Sequence, residues 1–351
     1  MTHPHPHPNR LFALDGLRAV SILLVVISHA WLGHIVPGGL GVTIFFFISG
    51  FIITRLMIAE WDTTTQIDIR QFYLRRFFRL MPALIVYVIL SLLAMLAMGE
   101  TIKLIELLSV FLYYANYYAI YFGFGDDTLL APLSITWSLA IEEHFYLIFP
   151  FLFAALAGKT TRFLRLIAGL IVAVFLWRLY LITQFGLEQL AHDRIYKGTD
   201  TRLDSILFGT GFSILLTRYS WINKFFSDRR VLVSGALLML LSLLVRNEIF
   251  RESLRYSIQG IALACLFCHL VFIDNPVQRL LSSGPMIYIG KISYSLYLYH
   301  YLIFTLITAW MPDAALWIRI ATLLIASWIC ADLSYRYVEQ YFARIGRRFL
   351  H

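Results

Sequence analysis

Residues 11–32 read LFALDGLRAVSILLVVISHAWL, and the only ionisable side chains in this apolar run are those of Asp15, Arg18 and His29. A helix needs about 20 mainly apolar residues to cross roughly 30 Å of membrane hydrocarbon, so the run is long enough to span. Further apolar runs fill most of the remaining chain. They lie at residues 40–58, 80–98, 102–122, 135–157, 163–182, 203–216, 231–245, 258–273, 287–309 and 316–335.

The composition of the whole chain predicts the same class of protein. Of its 351 residues, 60% are hydrophobic and 14% are charged, whereas soluble domains carry about 45–50% apolar and about 25% charged residues. So few polar groups could not cover the surface of a soluble protein of this size. We therefore predict an all-α polytopic membrane protein, and we exclude soluble, disordered, fibrous and disulfide-stapled classes.

Clusters of Lys and Arg between these runs indicate on which side of the membrane the connecting loops lie. Such clusters mark cytoplasmic loops, so the net charge of +8 indicates topology rather than nucleic-acid binding. If all the clusters are cytoplasmic, the runs at 80–98 and 102–122 cannot both cross. We predict about ten transmembrane helices, both termini cytoplasmic and an interfacial or re-entrant helix over 102–122; eleven spans with an external C-terminus are the alternative. The clusters lie at residues 70–79, 159–165, 218–230 and 344–348.

The runs predict one membrane domain over residues 11–342, between a disordered tail over 1–10 and a basic cytoplasmic tail over 343–351. The first tail alternates His and Pro, which favours a frayed end stiffened by proline; a metal-binding tail is the alternative. Cys265 and Cys268 form a C-x-x-C inside an apolar run, where small hydrophobic residues are favoured over redox or metal chemistry. No metal site is predicted.

The first run carries a basic residue and a histidine at a helical spacing. An ionisable residue within a membrane costs about 2.5–3.5 kcal/mol, so each one requires a reason. Arg18 and His29 are eleven residues apart, which places them on nearly the same helix face and about 16 Å apart along the axis. With Arg18 at the cytoplasmic mouth, His29 points into the bundle near the middle of the membrane. We interpret this pair as functional.

The third run begins with a group of arginines. Arg75 and Arg79 are four residues apart and Arg76 and Arg79 are three apart, so one helix face concentrates their guanidinium groups. Planar guanidinium groups suit bidentate contacts with phosphate. Charge that sets the topology and contacts anionic lipid is the alternative.

The run at 135–157 carries two consecutive carboxylates beside a histidine, namely Glu142, Glu143 and His144. Successive residues of a helix point about 100° apart, so the two carboxylates cannot face one point. We predict that one of them lines a cavity while the other pairs with a neighbouring helix.

Small and polar residues elsewhere in the runs predict contacts between helices. The stretch GGLGVTIFFFISGF at 38–51 has small residues that let helix backbones approach closely. Polar side chains further along can pair across helices, and pairing is the favoured interpretation of each one alone. They are Arg178, Arg202, Asp204, His300, Arg336 and Glu339.

Taken in order, these motifs resemble those of the acyltransferase-3 family over residues 10–342. Any one motif is weak evidence, but six in the family's order are specific. They are LDGLRA at 14–19 with His29, GG…FFFISGF at 38–51, RFFR at 76–79, WSL at 137–139 continuing through Glu142 to Tyr146, SYSLY at 293–297 and YVE at 337–339.

The resemblance implies a bacterial inner-membrane O-acyltransferase with about ten helices. Such proteins move an acyl group, commonly acetyl, from cytosolic acyl-CoA to a hydroxyl of a cell-surface or periplasmic glycan, a lipid-linked sugar or a small molecule. No permanently bound cofactor is implied; acyl-CoA is a co-substrate. The expected partners are membrane lipid, acyl-CoA and the acceptor, without nucleic acid. Some relatives append an extracytoplasmic SGNH-type domain that this sequence does not contain, so we expect direct acylation or transfer to a separate extracytoplasmic partner.

The family's motifs also imply roles for individual residues. His29 is expected to be catalytic, as a general base or as the acceptor of the acyl group, with Arg18 eleven positions before it and Glu142 orienting it. The phosphates of acyl-CoA are expected to be held by Arg75, Arg76 and Arg79. Support of the substrate or of the structure is expected from Asp15, Trp137, Glu143, Tyr146, Arg202, Asp204, His300 and Glu339.

A transporter or flippase for an anionic or glycan substrate could use the same polar residues as a pathway. The sequence shows no convincing internal repeat, and inverted repeats are the signature of many secondary transporters. We therefore favour the enzyme and keep the transporter as the alternative.

Overall fold

The computed structural model describes residues 12–101, 103–124 and 131–349. The predicted tail over residues 1–10 lies outside the described residues. Within the described ranges the chain forms helices and no strands, which confirms the predicted all-α class.

The α-helices of the described chain are as follows: α1 (Phe12–Ile27), α2 (Gly38–Thr64), α3 (Ile69–Ala97), α4 (Leu104–Phe111), α5 (Ala115–Tyr121), α6 (Trp137–Leu156), α7 (Thr160–Phe185), α8 (Gln189–Lys197), α9 (Thr199–Arg218), α10 (Ser220–Phe226), α11 (Arg229–Leu244), α12 (Glu248–Glu252), α13 (Leu254–Val271), α14 (Pro276–Leu281), α15 (Gly284–Trp310), α16 (Leu316–Ser334) and α17 (Gln340–Arg348). Wider π-helical turns follow α1 at Ser28–Leu32 and α16 at Tyr335–Glu339. A 3₁₀ turn at Pro132–Thr136 leads into α6.

Eight helical segments of the described chain are long and apolar enough to cross a membrane. The chain is therefore a multi-pass membrane protein, as predicted. The eight segments are Phe12–Leu32, Gly38–Thr64, Ile69–Ala97, Pro132–Leu156, Thr160–Phe185, Leu254–Val271, Gly284–Trp310 and Leu316–Arg348.

The predicted count of ten requires α9 and α11 to cross as well, since they contain the runs at 203–216 and 231–245. Helix α9 carries several charged residues, yet it packs against α2, α6, α7 and α13, and most of its residues are buried. A helix enclosed by other helices needs no lipid-facing apolar surface, so charge within it is tolerated. Helix α11 is about 24 Å long at 1.5 Å per residue, somewhat shorter than the hydrocarbon layer. The count of ten and the side of the termini stay predictions.

The run at 102–122 does not form one helix of spanning length. Helices α4 and α5 contain 8 and 7 residues, or about 12 and 10 Å of axis. The backbone turns between them, where Tyr113 adopts a positive φ of 57°. Such short helices cannot cross the membrane, and their interfacial or re-entrant position stays a prediction.

Close backbone packing, predicted from the glycines of 38–51, is present where α2 crosses α9. A Cβ atom added to Gly50 would collide with the carbonyl oxygen of Ile206, and one added to Gly209 would collide with that of Phe47. The two glycines thus allow the helices to meet backbone to backbone. This contact fixes α2, and with it one side of the two cavities described below.

The C-terminal basic segment is part of a packed helix. Helix α17 lies against α3, where Gly346 meets the side chain of Phe78 and Phe349 stacks on the same ring at 5.6 Å. The boundary predicted between residues 342 and 343 falls inside α17. The described part of the predicted tail therefore docks onto the membrane domain instead of forming a separate segment.

Candidate active site

Two cavities lie one behind the other among α1, α2, α6 and α15, and Val42 and Tyr297 line both. We call the cavity lined by Arg18, Arg76 and Arg79 the charged cavity and the one lined by His29 the histidine cavity. Their empty volumes, openings included, are about 1020 Å³ and about 750 Å³. The polar side chains of the charged cavity are those of Arg18, Ser49, Arg76, Arg79, Tyr113, Ser138, Glu142, Glu143, Tyr146, Ser293, Tyr294 and Tyr297. Those of the histidine cavity are Ser28, His29, Ser134, Trp137, Tyr196, Lys197, Tyr297 and Tyr301.

The two cavities face opposite ends of the bundle. The charged cavity is lined by the first half of α3 and by Arg18 in the first half of α1. The histidine cavity is lined by His29 just after α1, by Gly38 and Gly39 at the start of α2, and by Lys197 at the end of α8. The predicted cytoplasmic cluster at 70–79 thus lies at the end of the charged cavity.

Arg18 and Arg79 are the cations of the charged cavity that make no direct contact with a carboxylate of the described chain; Asp15 and Glu339 attract them from a longer distance. Neither makes a hydrogen bond or an ion pair with another residue in the described part of the chain. Arg76, in contrast, pairs with Glu143 at 3.3 Å, and its guanidinium carbon lies 3.1 Å from the centre of the Tyr146 ring. A cavity with two guanidinium groups that lack a direct ion pair suits an anionic ligand such as a phosphate.

The structure does not place Arg75 with this group. Arg75 does not line either cavity; it bonds to Gln71 at 3.0 Å and lies 3.6 Å from Glu60 of α2. The spacing places Arg75 and Arg79 about 40° apart on the helix, and the long Arg75 side chain reaches the polar end of α2 instead of the cavity. Arg18, which the helical spacing places at the cytoplasmic mouth, contributes the second guanidinium group.

The acidic pair of α6 differs from the prediction in one respect. Glu143 pairs with Arg76 of α3, so one carboxylate does find a partner on a neighbouring helix. Both carboxylates nevertheless line the charged cavity, and Glu142 accepts a hydrogen bond from Tyr146 at 3.0 Å. Since His29 lines the other cavity, the expected orientation of His29 by Glu142 does not occur in this structure.

His29 is instead held by His300. The Nδ1 atom of His29 lies 3.1 Å from Nε2 of His300, and Nδ1 of His300 lies 3.0 Å from the carbonyl oxygen of Leu296. The Tyr301 ring meets His29 edge-on at 5.3 Å. His300 is fully buried on α15, whereas His29 is partly exposed to its cavity.

The turn that carries His29 also departs from regular α-helix. Trp31 has a positive φ of 60°, so the chain turns away two residues after His29. Trp31 is held by the guanidinium of Arg319 at 4.0 Å and by Phe304 at 5.1 Å. His29 therefore lines its cavity from the π-helical turn that follows α1, just before the chain changes direction.

The Tyr297 side chain, together with Val42, forms the wall between the cavities. Its hydroxyl lies 2.6 Å from Oγ of Ser138 and donates to the carbonyl oxygen of Ile135 at 3.1 Å. These two bonds fasten the wall, which belongs to α15, to the start of α6.

Most of the other polar residues singled out in the sequence line neither cavity. Arg178 and Asp204 form a fully buried ion pair at 2.7 Å. Arg202 donates to Thr43 at 3.1 Å and lies 4.2 Å from the Tyr256 ring, so pairing between helices explains these residues. Two acidic residues lie outside both cavities: Asp15, with its carbonyl against Gly290, and Glu339, which accepts from Ser295. Trp137 lines the histidine cavity and packs on Tyr196 at 5.0 Å.

Several lining residues were not among the predicted site residues, notably Tyr196, Tyr301 and Tyr113. A signal for part of this set is present in α15, where Tyr294, Tyr297 and Tyr301 recur at intervals of three and four residues and so share one helix face. Tyr113 lies in the turn between α4 and α5 and Tyr196 near the end of short α8, so neither belongs to such a periodic face. Among the described residues, no group of three or more His, Cys, Asp or Glu side chains could hold a metal ion.

Comparison with known proteins places the chain among acyltransferases. The family model described as "Acyltransferase domain", that of the acyltransferase-3 family, matches residues 11–336. The O-acetyltransferase OatA of Staphylococcus aureus is 30% identical over 350 residues, which cover 95% of this chain and 57% of the relative. The peptidoglycan O-acetyltransferase OatA of Listeria monocytogenes is 29% identical over 348 residues, which cover 93% of this chain and 55% of the relative.

The chain thus spans somewhat more than half the length of the curated relatives that it matches. No solved structure matches it. The family match covers nearly the whole chain, including every residue named here as lining the two cavities. This integral membrane protein therefore belongs to the acyltransferase-3 family.

Proposed function

We propose that the protein is a membrane O-acetyltransferase that transfers an acyl group from acyl-CoA to a hydroxyl held beside His29. The observation that carries the proposal is the serial arrangement of the cavities. Guanidinium groups without a direct ion pair lie in one of them and an imidazole in the next, and among the described residues Val42 and Tyr297 are the two that line both. A ligand that is anionic at one end and reactive at the other fits this order.

Acyl-CoA is the proposed ligand of the charged cavity. Arg18 and Arg79 would bind its phosphates, while the apolar walls formed by Phe45, Ile52 and Leu84 would contact the pantetheine arm. Arg76 is held by Glu143 and Tyr146, so it would contribute a fixed positive charge to the same cavity. No group is bound permanently; acyl-CoA enters and coenzyme A leaves.

The thioester would reach His29 by passing the Tyr297 wall. Arg18 and His29 are about 16 Å apart along α1, a distance that the long pantetheine arm is needed to cover. Movement of the Tyr297 ring would open the passage. The glycines at positions 38 and 39 leave room for the acyl group at the end of this path.

In the proposed reaction, Nε2 of His29 takes the proton of the acceptor hydroxyl as the hydroxyl oxygen attacks the thioester carbonyl carbon. The ester C–O bond forms and the C–S bond breaks, and the coenzyme A thiolate then takes the proton from the imidazolium. An ester and free coenzyme A result, and His29 regains its starting state. General-base assistance of this kind contributes about 10²–10⁴-fold to the rate.

A glycan hydroxyl is the proposed acceptor, delivered from the end of the histidine cavity. One relative is named for peptidoglycan O-acetylation, and the aromatic side chains of Trp137, Tyr196 and Tyr301 line the cavity. Tyr and Trp combine an apolar face with a polar group, as the surface of a sugar does. We place the protein in a bacterial inner membrane, with acyl-CoA on the cytoplasmic side and membrane lipid around it; a separate extracytoplasmic partner could take the product further.

The variant His29→Ala tests this function directly. We expect it to lose O-acetylation of surface glycans and lipids, measured by mass spectrometry in cells with no gene, the wild-type gene or the variant. Release of thiol from acetyl-CoA by the purified protein should fall at least about 100-fold, because the general base is gone. Buried His269 lies outside both cavities, so His269→Leu is the matched control and should keep its activity.

Two results would contradict the proposal. Full activity of His29→Ala would exclude His29 as the base. Wild-type protein that releases no thiol from acetyl-CoA in the presence of its glycan acceptor would instead favour the transporter, because transport leaves the thioester intact.

A further inference from the structure

We propose that His300 is a positioning residue that fixes the tautomer of His29, so that Nε2 of His29 carries the free lone pair toward the cavity. The inference deepens the proposed function and rests on the role given there to His29. It assigns the proton on each of the four ring nitrogens from the contacts of two histidines that are 271 positions apart.

The Leu296 carbonyl fixes which nitrogen of the His300 ring carries the hydrogen. A carbonyl oxygen only accepts, so Nδ1 of His300, 3.0 Å away, carries a hydrogen. His300 is fully buried, and no carboxylate in the described part of the chain pairs with it. A charged imidazolium without a partner is costly in such a place, so the ring is neutral. A neutral imidazole has one N–H, and Nε2 of His300 therefore presents a lone pair.

That lone pair and the backbone carbonyl of Val25, which also accepts from the His29 ring, determine the state of His29. Nδ1 of His29 lies 3.1 Å from Nε2 of His300, and two lone pairs at this distance would repel, so Nδ1 of His29 is the donor. In neutral His29 the remaining nitrogen, Nε2, is then unprotonated. His29 lines the cavity, where a hydroxyl can approach that nitrogen.

The arrangement differs from the more usual pairing of a catalytic histidine with a carboxylate. His300 accepts the same N–H bond that a carboxylate would accept, and so selects the same tautomer. It brings no negative charge into the membrane interior, where an unpaired charge is costly. The residues around it hold its ring in place: Tyr297 lies 5.8 Å and Tyr301 6.1 Å from the His300 ring centre.

Two substitutions separate positioning from packing. His300→Leu fills the space but accepts no hydrogen bond, whereas the side-chain oxygen of His300→Gln can accept from Nδ1 of His29. We expect His300→Leu to lower kcat about 100-fold, as misplacement of a catalytic group does, with the KM for acetyl-CoA changed less than about twofold because the charged cavity is untouched. His300→Gln should recover most of the lost kcat.

The assay uses the full chain in lipid nanodiscs, with acetyl-CoA as the donor and cell-envelope glycan of the host strain as the acceptor. Melting temperatures of both variants are measured alongside, and His269→Leu serves as the control for loss of a buried histidine. A wild-type kcat in His300→Leu would overturn the inference. Equal loss of kcat in folded His300→Leu and His300→Gln would also overturn it, because the acceptor would then make no difference.

A measurement on the wild-type protein keeps the inference testable if both variants fail to fold. The ¹⁵N spectrum of protein labelled at histidine, minus that of His29→Gln, gives the ring signals of His29. Protonated Nδ1 with unprotonated Nε2 supports the assignment, and the opposite pattern overturns it. Failure of the proposed function has a different signature, since His29→Ala would then remain active whatever His300 does.

Discussion

The charged cavity and the histidine cavity share a wall but are built from opposite chemistry. The first gathers Arg18, Arg76 and Arg79 against two glutamates. The second holds its principal polar group, His29, against another neutral ring, and its single charged side chain, Lys197, pairs with Asp193 at its edge. Charge is concentrated toward one end of the bundle, and the interior beyond the wall uses hydrogen bonds between neutral groups.

Under the proposed function, this difference separates donor binding from chemistry. A charged side chain deep in a membrane is costly unless it is paired or near water, so a phosphate site belongs near an open mouth. A general base needs a free lone pair, which a neutral imidazole supplies without any charge. Substitutions in the charged cavity should therefore change the KM for acetyl-CoA, and substitutions in the histidine cavity should change kcat.

The largest effect expected from the charged cavity comes from Arg79→Ala. Loss of a charge-assisted hydrogen bond costs about 1.5–3 kcal/mol, so the KM for acetyl-CoA should rise about 10- to 100-fold while kcat changes little. The matched control is Arg75→Ala, which removes the same charge from the same helix outside both cavities. Initial rates over a range of acetyl-CoA concentrations measure both constants. Equal KM values for the two variants would show that these arginines only set the topology.

A smaller effect is expected where the cavities meet. Tyr297→Phe keeps the ring but removes the bonds to Ser138 and to the Ile135 carbonyl, at a cost of about 1 kcal/mol each in stability. The wall becomes looser, so we expect kcat to change by less than about tenfold and the KM for acetyl-CoA to stay constant. Tyr299→Phe, on the same helix outside both cavities, should leave the rate unchanged. A large shift in the KM of Tyr297→Phe alone would mean that Tyr297 belongs to donor binding.

The smallest effect concerns the rim of the histidine cavity. His192 stacks on Tyr196 and pairs with Glu252 at 3.3 Å; the hydrogen bond that its imidazole donates to that carboxylate raises the pKa of His192 above its ordinary value of 6.5. The pair therefore stabilises fully below pH 6.5, and the contribution is lost as the pH rises through the raised pKa. For a pair this exposed it is less than about 1 kcal/mol.

His192→Asn is the variant that isolates this contribution. The difference in melting temperature between wild type and variant should be largest near pH 6 and should shrink toward pH 8. A difference that grows with pH would contradict the assignment of the pair.

Local spacing predicted much of the molecule, but it could not predict partners far apart in sequence. Runs of apolar residues identify the long helices, and the glycines of α2 predict that a backbone packs closely against it, because both signals are local; that the partner is α9 follows only from the structure. The spacing of Arg75 and Arg79 predicts that they lie on neighbouring positions of one helix face. It does not predict the direction of the long Arg75 side chain, because that depends on its partner Glu60 on another helix.

The same limit explains the mistaken partner of His29. Glu142 was the expected orienting group because it lies in a matching motif, yet the helices place it beside Tyr146 and place His300 beside His29. No spacing rule connects positions 29 and 300. The tyrosine periodicity of α15 was the one local sign that its face lines a cavity.

The wall formed by Tyr297 also bears on the membrane itself. The two cavities face opposite ends of the bundle, so joining them would create a continuous file of water across the lipid. A membrane that stores energy as an ion gradient would lose protons through such a file. If the proposed reaction path passes Tyr297, the ring has to block proton leakage between the cavities as well as let the substrate pass, so leakage constrains its size even when no substrate is present.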